Sequence, residues 1–277
     1  MLNKIINIEE ATSLVSNGDK VVFGGNVLHR APMAFTRELA RQNKRNLKLI
    51  KTAGAHEIDL LCAAGCAESV DAGFISYETE YGLANNYRKA VEAGLVKANE
   101  HACYTVISAL RAAAYGIPFM PVKGLMYGDL IEANDYFKMV KDPFGGEAIG
   151  IVEAIVPDIG VIHVQECDEK GNCRIYGPKF DDVLISRASK KLILTTEQIV
   201  PESKMRMNPD MVDIPHILVE AIVHVPNGAA PCSCYNKYDI DKKVLKNFTS
   251  MKSIEEIEKY LKFYETKDRK VLKRGSR

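Results

Sequence analysis

The chain has 277 residues, 47% of them hydrophobic and 26% charged, with a net charge of +1. That is enough chain to bury a substantial core. A near-neutral balance gives no field to steer it toward nucleic acid or an anionic membrane. No apolar run is long enough to span a bilayer and no signal peptide opens the sequence, so a cytoplasmic location is expected.

The pattern predicts a first helix over residues 8–17, with Asn7 as its N-cap and Gly18 as its stop. The apolar run Val21–Phe23 predicts a buried strand. It runs into Gly24-Gly25, where the missing side chains let backbone approach something closely. Pro32 suits the first turn of a helix predicted to reach Gln42, with Phe35 and Leu39 inward and Arg37 facing solvent. A second strand, 47–52, ends in another glycine loop at Gly54, and a helix over 57–64 follows. The third strand, 69–75, ends at Ser76-Tyr77-Glu78.

Further helices are predicted over 87–93, capped by Asn86, and over 104–115, closed by Gly116. A strand over 118–122 precedes a weakly periodic stretch, 124–146, read as a helix and a surface loop. Strands are then expected over 148–155 and 161–165. The turn at 168–172 makes a hairpin with residues 173–176. A helix over 180–188, strands over 191–195 and 221–225, and a charged amphipathic helix over 254–263 complete the order. This alternation implies an α/β fold: an open, mostly parallel sheet with helices on both faces. One domain is expected over 1–277, with a charged helical end from about residue 238 and a solvated tail from Lys267 to Arg277.

Seven cysteines at irregular spacing argue against a secreted disulfide framework. Cys62/Cys66 and Cys232/Cys234 are close pairs, but no second Cys/His pair follows at zinc spacing. Buried thiols and no metal are the better reading. Dinucleotide, Walker, nucleophile-elbow and H-E-x-x-H motifs are missing. The polar leads therefore stand at strand ends: Asn26 and Arg30; His56 and Glu57; Ser76, Glu78 and Glu80; His163, Gln165 and Glu166. Arg30 offers a planar fork to a carboxylate or phosphate. Glu78 and Glu80 would serve as acid or base only if burial raised their pKa, and a solvated loop carboxylate is the plainer reading. A histidine late in an apolar strand, like His163, reads better as satisfied core than as a base.

The stretch Asp19-Lys-Val-Val-Phe-Gly-Gly-Asn-Val-Leu-His-Arg-Ala-Pro32 resembles the glycine motif of the α (A) chain of family I coenzyme A transferases. The likeness continues through Ser76-Tyr77, Arg88-Lys89, Ala112-Ala-Ala114, Ile162-His-Val-Gln165, Arg174-Ile-Tyr-Gly177, Phe180-Asp-Asp182 and Asp213-Ile-Pro215. It is nearest to the glutaconate CoA-transferase branch, and Pro32-Met-Ala-Phe35 is also similar to the corresponding subunits of the ring-opening CoA hydrolases of steroid breakdown. There are departures. Asn26 stands where many members have an aromatic residue, Arg30 where many have glycine, and Ser76-Tyr-Glu-Thr-Glu80 replaces S-Y-x-G-E-N.

The resemblance implies substrate contacts from Gly24, Gly25, Asn26, Arg30, Gly54, Ser76, Glu78 and Glu80, with Arg30 marking a carboxylate-bearing substrate. It implies coenzyme A as substrate, no further cofactor, and no catalytic residue in this chain. The family's nucleophilic glutamate lies in the β (B) subunit, in a motif such as S-E-N-G that this sequence lacks. A β subunit is then the expected partner, and backbone N–H groups of the glycine loop are expected to face the reacting thioester. Hydrolysis on the same scaffold is the alternative.

Overall fold

Apolar residues alternate along the central strands, and that alternation sets the layering. In the computed structural model, which describes residues 4–270, Val21 and Phe23 point into one core and Val22 into the other. Leu192 and Leu194 oppose Ile193 in the same way, as Ile222 opposes Ala221 and Val223. Both faces are apolar because both are covered.

The elements run α1 (Ile8–Ser13), β1 (Lys20–Phe23), α2 (Met33–Arg41), β2 (Leu47–Gly54), α3 (His56–Ala63), β3 (Ala67–Ile75), α4 (Glu78–Tyr81), α5 (Asn85–Glu92), β4 (Lys97–Glu100) and α6 (Cys103–Tyr115). The chain continues with β5 (Phe119–Pro121), α7 (Leu130–Ala133), β6 (Phe137–Val140), β7 (Ile149–Glu153), β8 (Ile159–Val164), β9 (Glu166–Asp168) and β10 (Cys173–Arg174). It ends with α8 (Asp182–Ala188), β11 (Lys191–Thr196), β12 (Ile199–Val200), α9 (Glu202–Met207), β13 (Val219–His224), α10 (Lys242–Thr249) and α11 (Ile254–Asp268).

Seven strands form one sheet in the order β13-β11-β8-β1-β2-β3-β4, with every pairing parallel. Helices α1, α2, α3, α10 and α11 bury apolar side chains in one core; α6 and α8 bury theirs in the other. Two three-stranded sheets, β5-β7-β6 and β10-β9-β12, flank this frame. No helix among the described residues is long and apolar enough to cross a membrane.

The expected open parallel sheet with helices on both faces is therefore present, and several local expectations need correction. The first helix stops at Ser13, although Asn7 caps it in a full capping box with Glu10. Asn86 is not a cap. The carboxylate of Asp59, on α3, instead accepts the Asn86 and Tyr87 N–H groups at 2.8 Å each. The stretch read as helix and loop contains β6, and the strand over 118–122 joins the β5-β7-β6 sheet rather than the central one. Arg37 is fully buried, not solvent-facing. Its guanidinium donates twice to Asp268 at 2.7 Å and stacks over the Tyr264 ring. The C-terminal helix thereby docks on α2. It reaches Asp268, so the expected tail begins inside a helix, and residues 271–277 lie outside the described chain.

Candidate functional site at the carboxyl edge of the sheet

β1 is where the strand order turns. The chain steps from it to β2, β3 and β4 on one side, and β8, β11 and β13 lie on the other. In such sheets the two loops leaving the switch point splay apart and open a crevice at the carboxyl ends of the strands. A cleft of about 770 Å³ lies there. Asn26, His29 and Arg30 of the glycine loop form one wall, Pro178 and Phe180 a second, and the turn 233–239 a third, with Glu78 at the rim.

The backbone around this cleft is unusual. Among the described residues, the non-glycine, non-asparagine positions with positive φ are Val27 (47°), Arg30 (55°), Glu78 (60°) and Phe180 (45°). Three of these line the cleft, and Val27 sits in the same loop as Arg30. Left-handed backbone is costly for residues with a Cβ, most of all for β-branched valine, and such strain collects at functional sites.

Gly24 and Gly25 are explained by their own chain. A Cβ on Gly24 would lie 2.3 Å from the Asp182 carboxylate, and one on Gly25 2.4 Å from the His29 carbonyl. Gly25 also has φ +73°. Its N–H donates to Asp182 Oδ1 at 2.8 Å, and the Gly24 N–H to the Val161 carbonyl. Both amides are therefore already engaged within the chain.

Arg30 is likewise turned inward. Its guanidinium donates to Asp182 Oδ2 at 2.6 Å, to the Pro178 carbonyl at 2.8 Å and to the His163 carbonyl at 3.1 Å. Only 2% of the residue is exposed. An arginine neutralised by a buried aspartate is not free to clamp a substrate carboxylate. It fastens the glycine loop to the loop before α8.

The other expected residues divide. Asn26 is half-buried on the cleft wall, and exposed Glu78 stands at its rim with no ion-pair partner among the described residues. Gly54 is buried against Lys51, where a Cβ would come within 2.7 Å of Lys51 Cγ. Ser76 donates to the Gly82 carbonyl, and exposed Glu80 pairs with Lys242, whose hydrogen bond holds the Glu80 carboxyl below its usual range. Gly54, Ser76 and Glu80 do not line the cleft.

His163 is satisfied, in keeping with its place late in an apolar strand. Its ring nitrogens lie 2.9 Å from Thr195 Oγ1 and 2.8 Å from Glu197 Oε1. Glu197 also accepts from the Tyr238 hydroxyl and the Asn227 and Gly228 N–H groups. Burial would push that carboxyl up, but His163, Tyr238 and the Asn227 amide hold it down at about 2. Cys234 completes a cluster of possible metal donors with His163 and Glu197. The His–Glu contact is itself a hydrogen bond, however, and burial pushes the Cys234 thiol up to about 12. All seven cysteines are free, and six are buried.

His56 is enclosed between the Tyr77 and Tyr260 hydroxyls, and burial lowers its pKa to about 3. Gln165 ties two cleft walls together by donating to the Tyr176 and Tyr235 carbonyls. Sequence reasoning missed Asp182, Lys51, Glu197 and Tyr238 as site-forming residues. Only Asp182 left a trace, inside the Phe180-Asp-Asp182 wording.

Chemically, the cleft offers shape and hydrogen bonds, and its carboxylates without an ion pair among the described residues, Glu78 and Asp239, are exposed rather than held by a base or an orienting partner. The buried carboxylates Asp182 and Glu197 are both committed to partners. His29 Nδ1 lies 2.6 Å from Ser233 Oγ, but no group orients the far nitrogen of the His29 ring among the described residues.

A parallel sheet covered on both faces, with a ligand-sized cleft at its switch point, places the chain among the α/β proteins that bind substrate at the carboxyl ends of their strands. Within that class it belongs to the coenzyme A transferase family, whose model matches residues 5–225. The A-type subunit of glutaconate CoA-transferase from Acidaminococcus fermentans is 30% identical over 92% of this chain and 85% of its own. The crystal structure of glutaconate CoA-transferase from that organism superposes with a TM-score of 0.87 at 29% identity, covering 94% of this chain and 88% of that one. The corresponding subunit of 3-oxoadipate CoA-transferase from Pseudomonas knackmussii is 31% identical over 87% of this chain and 85% of its own. A cholesterol ring-cleaving hydrolase IpdA subunit from Rhodococcus jostii is 26% identical over 89% of this chain and 86% of its own. The chain is also 34% identical, over 92% of itself, to an uncharacterized Archaeoglobus fulgidus protein, of which it spans 58%.

Proposed function

We propose that this chain is the α subunit of a heteromeric CoA-transferase that moves coenzyme A between an acyl-CoA and a carboxylic acid. One observation carries this reading: a cleft at the switch point has walls and polar contacts, yet the enclosed carboxylates beside it, Asp182 and Glu197, are paired, and the unpaired ones, Glu78 and Asp239, are exposed with nothing to orient them. The attacking glutamate then comes from a β subunit seated across the cleft. It adds to the thioester carbonyl and expels CoA thiolate, leaving an acyl-glutamyl anhydride. The thiolate returns to the glutamyl carbonyl and releases the first acid. The acceptor carboxylate opens the glutamyl thioester through a second anhydride, and the thiolate then takes up the new acyl group.

Asn26 and Glu78 meet the acyl or acid end, while Gly24, Gly25 and Arg30 set the wall behind them. Gly54, Ser76 and Glu80 support that wall from outside the cleft. The relatives' acids, glutaconate and 3-oxoadipate, are dicarboxylates. Lys237 is the cleft cation without an ion pair among the described residues, which supports a contact from it to a second carboxylate. Seven free thiols fit a reducing cytoplasm.

The test is product analysis on the chain co-purified with its β subunit, given one acyl-CoA and a panel of mono- and dicarboxylic acids. The expected result is a new CoA ester only when an acceptor acid is present, with dicarboxylates preferred. Free CoA released without any acceptor would contradict it and favour hydrolysis.

A further inference from the structure

A buried lysine lies beneath the glycine loop, outside the cleft. Lys51, on β2, is 2% exposed. Its ammonium donates to the carbonyls of Phe23, Gly24 and Gly25 at 3.0, 2.7 and 2.9 Å. An ammonium has three N–H bonds, so all three are spent on three successive carbonyls. In an extended strand, successive carbonyls point to opposite sides. Their convergence on one nitrogen means that the chain has left the strand and curled around Lys51.

The same curl turns the loop's amides the other way, toward Asp182 and the His29 carbonyl. Glu57 balances the lysine from 3.4 Å away, is itself fully buried, and leaves its Oε1 without a hydrogen bond. Gly54 lacks a side chain where the Lys51 stem passes. The loop is thus gripped twice, by a cation on its carbonyls and by an anion on its Gly25 amide and on Arg30.

We propose that Lys51, balanced by Glu57, is a positioning residue for the reaction: it fixes the curl of residues 23–25 and so the place of the cleft wall at Asn26–Arg30. The catalytic part of this inference rests on the CoA-transferase reading.

The test uses the double variant Lys51→Met/Glu57→Gln, in complex with the β subunit. Removing both charges leaves neither buried alone, so the fold is retained. Amide hydrogen exchange at residues 24–30 is expected to rise about tenfold or more with loss of the three bonds. Exchange in β11 and α6 stays at wild-type rates. The kcat for CoA exchange falls about 100-fold, as expected for a misplaced wall, while KM for acyl-CoA is unchanged. Wild-type loop exchange with wild-type kcat would overturn the proposal. So would a variant that unfolds or loosens everywhere at once, since that marks the pair as merely structural. If the wild-type complex transfers no CoA, the activity reading fails instead, and loop exchange still decides whether Lys51 holds the loop.

Discussion

Arg30 is the residue whose type points most directly at a substrate, and its surroundings give it a different task. It is paired with Asp182, so Arg30→Ala strands a buried carboxylate. We expect a loss of about 3–5 kcal/mol in stability by urea unfolding. A change below about 1 kcal/mol, the range of an exposed pair, would contradict that placement.

Glu197 gives a prediction in pH. Its folded pKa of about 2 lies below the ordinary value of 4.5, so its contribution is present above about pH 4.5 and is lost as pH falls toward 2. That window is worth about 3 kcal/mol, and Glu197→Gln should flatten the stability profile across it. An unchanged acid limb would remove Glu197 as the hub of the cleft wall. Neither role was legible from the residues alone. The partners of Arg30 and Glu197 lie up to 152 positions away, and no local spacing encodes them. The satisfied state of His163 was legible, because an apolar strand has to pair any polar group it buries.

At the scale of elements, the central strands and their helices could be read because their apolar runs are bounded by glycine and proline. β4 could not, since Lys97-Ala-Asn-Glu100 is a polar strand at the edge of the sheet and needs only one neighbour. β6 was hidden for another reason: Phe137-Lys-Met-Val140 is apolar, but four residues in a short antiparallel sheet are too few to show a period. The junction of α2 and α11 runs against its sequence pattern: Arg37 looks like a surface residue, yet Asp268 binds both Arg37 and Arg41. Asp268→Ala should therefore cost about 3–5 kcal/mol. Glu258→Ala, on an exposed position of α11, should stay within about 0.5 kcal/mol by the same unfolding assay. Equal effects from both would mean that α11 is not anchored through Arg37.

For the whole molecule, the family was legible because its wording runs from Asp19 to Pro215 rather than sitting in one motif. The geometry of the cleft was not, because the glycines that announce it serve the chain's own packing. What they hold is a wall, and the proposed division of labour leaves the reacting carboxylate to the other subunit.

Borohydride reduction of the complex after incubation with acyl-CoA, followed by peptide mapping, tests this division most directly. The account predicts a modified glutamate on the β subunit, with none on this chain. Modification of Glu78 or any other carboxylate of this chain would contradict it.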